Sequence, residues 1–213
     1  MAAWVDERQS RIVELRFFGG LSIDEGALRT QLAQHRVAEA EALNKKGDAA
    51  GALQSYKEAR SFYQSVAELD DLNLDGQLNV SATDAKLGAT YFRLGQIDDA
   101  RETYLRALEV SEPPAGRNPP NLQALYTLAD AYSGLGDVAV YLAKRIKDPS
   151  KQLSHRTEAK SWYEKSLRVW RAIPNRSVIS PSEFDVGDPA QVKSHLAACE
   201  AILAERKTSR GSR

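Results

Sequence analysis

The chain has 213 residues, with 29 lysines and arginines balancing 29 aspartates and glutamates. That balance gives no global electrostatic case for nucleic acid or an anionic membrane. The 42% hydrophobic content permits a core, and the 27% charged content permits a solvated surface.

Alanine and leucine are abundant and β-branched residues scarce, which favours helix over strand. Cys199 is the only cysteine, so an intramolecular disulfide is excluded. The N-terminus carries Asp6 and Glu7 without an apolar run, so no signal peptide is expected. No stretch reaches the ~18 apolar residues of a membrane helix. The expectation is a cytoplasmic protein with no membrane contact.

In chain order, residues 1–26 come first as a separate helical segment. Asp6-Glu7-Arg8-Gln9 opens a helix with Ile12, Val13, Leu15, Phe17 and Phe18 on its apolar face, ended by Gly19-Gly20. Ser22 and Glu25 have the spacing of a capping box for the next helix. The run Arg8–Ser22 resembles the start of region 4 of bacterial sigma factors of the extracytoplasmic-function type. That resemblance implies contact with RNA polymerase or DNA through residues 8–25. After Glu25, however, no second turn and recognition helix follow, and these make the base contacts of a helix-turn-helix. The segment is therefore either a packing element or a working contact.

Residues 27–206 read as helical pairs with a final cap. The first pair, about 27–69, turns at Lys46-Gly47-Asp48 and points Leu53, Tyr56, Ala59, Tyr63 and Val66 inward. Asp70-Asp71 and Asp75-Gly76 mark the connection to the second pair, about 80–112. There Leu87, Gly88, Tyr91 and Leu94 share one face, and Ile97, Ala100, Tyr104, Ala107 and Leu108 another, with Gly95 as the break. Pro113–Pro120 reads as a loop, and Asn121 as the next cap. The third pair, about 121–173, repeats Leu128, Ala129, Tyr132, Leu135 and Gly136, with Gly136 as its helix end. Its second helix resumes at Ala159, Tyr163 and Leu167 after a polar insertion holding Pro149 and Ser150. Residues 175–188 form a crossing segment. Asp188 and Pro189 start a cap helix over 189–206 that buries Val192, His195 or Leu196, Cys199 and Leu203, and 207–213 is a disordered basic tail.

The spacing of Leu87-Gly88, Tyr91, Ala100 and Tyr104, with recurrences upstream and downstream, resembles the tetratricopeptide repeat. Asp84 stands where that motif often has Trp. The resemblance implies an all-α right-handed superhelix of antiparallel helix pairs. Residues Leu128–Tyr132, Trp162-Tyr163, Leu167, Trp170, Ile179–Pro181 and Cys199-Glu200 are similar to the C-terminal repeat region of bacterial serine/threonine kinases. No kinase signature is present. A chain that joins two such resemblances also fits a truncated or rearranged gene.

No catalytic, cofactor or metal site is expected, and the chain does not read as an enzyme. His35, His155 and His195 lack zinc spacing. His195 and Cys199 could share a helix face, but two ligands make an incomplete site, and a buried structural cysteine is commoner. The repeat resemblance instead implies a concave groove for a protein or peptide, lined by Asn44, Lys45, Ala85, Ala89, Phe92, Arg93, Tyr126 and Asp130. Ala85, Ala89, Tyr126 and Asp130 depart from the family's carboxylate clamp. Phe92 with Arg93 is the foremost contact, the alternative being that Phe92 packs on the neighbouring pair. The function so implied is a protein–protein interaction or scaffold module in a bacterial regulatory or signalling pathway. The alternative is a sigma-derived transcription regulator.

Overall fold

The computed structural model describes residues 25–68, 74–173 and 187–211, with only the backbone for 206–211. The expected sigma-like helix, the 175–186 crossing and residues 69–73 lie outside the described residues. Seven helices are described: α1 (Glu25–Lys45), α2 (Ala49–Ala67), α3 (Leu74–Arg93), α4 (Ile97–Ala115), α5 (Leu122–Arg145), α6 (Pro149–Ala172) and α7 (Pro189–Gly211). Each helix packs on the next, and α3 also touches α5. The result is an all-α solenoid of three antiparallel pairs with α7 docked on α6. No described helix is long and apolar enough to cross a membrane.

Two of the pair turns are built alike. Gly47 and Gly95 adopt φ of +83° and +75°, which only glycine takes without strain. The N–H groups of Asp48 and Gln96 reach back to the carbonyls of Leu43 and Tyr91, each at 3.0 Å, closing Schellman motifs. Asp48 then caps α2 by accepting from Gly51 N at 2.8 Å. The third turn has no glycine. Asp148 caps α6 by accepting from Ser150 N at 2.8 Å, and Pro149 occupies the first helical turn.

Small residues and buried hydroxyls bring the helices together. Ala40 meets Ala52 and Tyr56 between α1 and α2. Ser81 Oγ donates to the Ala107 carbonyl at 2.8 Å, and Ser166 Oγ to that of Ala129 at 2.7 Å. The Tyr104 ring is wedged between Gly88 and Gly134, where an added Cβ would lie 2.8 and 2.1 Å from it. The fully buried residues of α1 are both alanines, Ala33 and Ala40.

Five sequence expectations need correction. Gly136 does not end a helix: α5 runs through it to Arg145. An internal glycine costs only about 1 kcal/mol of helix propensity, and the run from Val138 to Ala143 carries the helix on. The absent Cβ makes room for Tyr163, whose ring would be 2.4 Å from it. The supposed insertion at Pro149 is thus a lengthening of the hairpin, and α7 packs there through Val192 and Cys199 against Ala139 and Ala159. Pro113 and Pro114 lie in the last turn of α4 rather than in a loop. Their fixed φ matches helical φ, and the Pro114 carbonyl accepts from Asn121 N at 3.1 Å, tying α4 to α5. The second pair starts at Leu74, with Asp75 in the first turn of α3, where its charge suits the helix dipole. Finally, α7 extends to Gly211, into the stretch read as a tail.

Candidate functional site: a groove along α3 and α5

One face of α3 carries Ala82, Ala85, Lys86, Ala89, Phe92 and Arg93, spaced by three and four residues. One face of α5 carries Tyr126, Asp130, Ser133 and Asp137 at the same spacing. These faces form the walls of a groove of about 470 Å³. Asn44 of α1 and Tyr56 of α2 close it on one side. Gly187, Asp188, Gln191 and Val192, at the entry to α7, close it on the other. The methyl-sized side chains at 82, 85 and 89 leave the space open, and Tyr104 reaches its floor.

Seven of the eight groove residues expected from the sequence line this cavity: Asn44, Ala85, Ala89, Phe92, Arg93, Tyr126 and Asp130. Lys45 does not. It is exposed, one residue on from Asn44, and that step turns it about 100° around the helix and off the face. Phe92 does pack on the neighbouring pair. It lines the groove and also meets Tyr141 edge to face at 5.9 Å. Tyr126 meets Trp170 in the same way at 5.7 Å.

The groove's charge is divided. Lys86 and Arg93 stand on α3, and the Lys86 ammonium pairs with Glu41 at 2.6 Å. Asp130 and Asp137 stand on the facing wall, α5, and Asp188 at the entry to α7. Asp130 accepts from Gly187 N at 3.0 Å, holding the approach to α7 against α5. Asp137 accepts from the Tyr163 hydroxyl at 2.6 Å. The His195 Nδ1 is 3.0 Å from the same oxygen but out of line for a hydrogen bond.

His195 therefore faces Asp137, while Cys199 is buried at 2% exposure beside Tyr163. No group of three or more His, Cys, Asp or Glu side chains placed to hold a metal occurs among the described residues. Burial pushes the Cys199 thiol above its usual range, and the positive charge of Arg156 only partly opposes it. A protonated, enclosed thiol is a poor nucleophile. At pH 8, alkylation of Cys199 should be at least roughly tenfold slower in the folded chain than in guanidinium. Equal rates by mass spectrometry would contradict this burial.

Two features escaped the sequence reading. Asp84, 3% exposed, is held by Arg60 Nε at 2.7 Å, with Arg106 at 3.6 Å, linking α2, α3 and α4. Its partners lie on different helices, and no local spacing reveals them. The arrival of α7 at the groove was equally hidden, because it depends on where the chain returns after α6.

Residues 40–71 and 79–139 each match a family model described as tetratricopeptide repeat. No curated protein matches the chain. Such repeats stack into solenoids whose concave surfaces bind other proteins. Residues 40–71 and 79–139 are thus similar to tetratricopeptide repeats, and they lie within an all-α solenoid whose last pair carries α7.

Proposed function

We propose that the chain holds an extended segment of a partner protein in the α3–α5 groove and acts as a scaffold. The observation that carries this is the groove itself. Its two walls lie within the matched residues 79–139, and alanines keep it open. The double variant Phe92→Ala with Arg93→Glu changes its rim on α3. Partner recovery by cross-linking and mass spectrometry should fall at least roughly tenfold, as for a central aromatic and charged contact, with the helical circular dichroism retained. Undiminished recovery would rule out the groove as the binding face.

We set this module in a bacterial regulatory or signalling pathway in the cytoplasm. The similarity of residues 128–200 to kinase-associated repeats supports that setting. A second reading, that residues 8–25 touch RNA polymerase or DNA, rests on their sigma-like run alone. Binding through phosphates would weaken steeply with added salt. No binding to duplex DNA at low salt and none to core polymerase would remove it.

A further inference from the structure

We infer that the α5–α7 end of the groove receives a basic side chain, arginine or lysine, from the extended partner peptide. The inference rests on the reading of the groove as a peptide site. Asp130 and Asp137 lie seven residues apart, two turns along one face of α5, and Asp188 joins them from the start of α7. Among the described residues Asp137 has no lysine or arginine partner; its contacts are a neutral hydroxyl and the His195 ring. Lys86, on α3, is already engaged by Glu41.

Tyr104 supplies the independent observation. It is 5% exposed and lines the groove floor. Its hydroxyl has no hydrogen-bond partner among the described residues, and its ring cannot slide sideways between Gly88 and Gly134. Burial raises its pKa first, the charges of Asp137 and Asp130 raise it further, and Arg93 opposes them. The phenol therefore stays neutral, within the field of both acids, with lone pairs free to accept.

A guanidinium carries five N–H donors and an ammonium three. Either could donate to the Tyr104 oxygen while its charge faces the carboxylates. An acidic side chain or a C-terminal carboxylate would meet like charge and a hydroxyl already beside two acids. This end of the groove is thus the opposite of a carboxylate clamp.

The test is a selection of displayed random peptides on the full chain. The expected result is a recurring arginine or lysine at one peptide position. Its replacement by glutamine should weaken binding roughly tenfold. Asp130→Asn, which keeps an acceptor for Gly187 N, should cut that discrimination to about twofold, and Tyr104→Phe should reduce it in part. Selected peptides without a basic residue, with a recurring acidic one, or with discrimination unchanged in Asp130→Asn would overturn the inference and leave the groove reading standing. No selected peptide, or peptides whose binding survives Phe92→Ala with Arg93→Glu, would overturn the groove reading itself. Binding of the chain to a synthetic peptide of its own residues 205–213, with the same dependence on Asp130, would put a second copy in place of the partner and also overturn the assignment.

Discussion

Arg60→Met is expected to destabilise the fold by about 2–3 kcal/mol, because it strands a buried carboxylate. For a chain of this size that corresponds to a Tm lower by roughly 4–12 °C. The Asp84 side chain is only 4% exposed and sits between three helices. Arg60 reaches it with Nε at 2.7 Å and a second nitrogen at 3.4 Å, while Arg106 stands off at 3.6 Å and is 40% exposed. Without Arg60 the carboxylate keeps one distant, solvated partner. Asp84→Leu with Arg60→Met removes both charges and should recover most of the loss, since an apolar pair can replace a buried ion pair. The two melting curves, each with its single variants, form a double-mutant cycle. A loss below about 0.5 kcal/mol for Arg60→Met, the size of an ordinary surface change, would show that Asp84 does not depend on the bridge.

Gly134→Ala should cost a similar amount, about 2–3 kcal/mol net, although alanine is the better helix former by about 1 kcal/mol. The new methyl would fall 2.1 Å from the Tyr104 Cζ. The ring cannot retreat, because Gly88 meets its other side with the Cβ position 2.8 Å away. Gly88→Ala touches the same ring less deeply and should cost less. In a Tyr104→Leu background the Gly134→Ala penalty should largely vanish, because the obstacle is gone. A stabilising Gly134→Ala, or a penalty unchanged without the ring, would refute the two-sided wedge. Displacing Tyr104 should also weaken partner binding, because Tyr104 lines the groove.

The helix pairs were legible because each rests on local chemistry. Gly95 ends α3 with a positive φ and open space around it, and the alanines and tyrosines that follow keep the helical period. Gly136 stands at the matching place in the third pair, yet it is a contact for Tyr163 rather than a break. Spacing alone does not distinguish a glycine that turns the chain from one that admits a ring. The groove walls were legible for a related reason: once α3 and α5 are helices, residues three and four apart must share a face. Lys45 failed that rule by one residue. What sequence could not supply was tertiary. Asp84 lies 24 residues from Arg60, on another helix, and the α7 entry meets Asp130 across 57 residues.

The most direct test of the groove as the binding face places a photo-cross-linking amino acid in the full chain, at Ala89 in one variant and at Leu105 in another. Ala89 lines the groove, whereas Leu105 is 42% exposed on α4 and outside it. The partner should be captured from Ala89 and not from Leu105. Capture from Leu105 alone would place the partner on the outer face and contradict it.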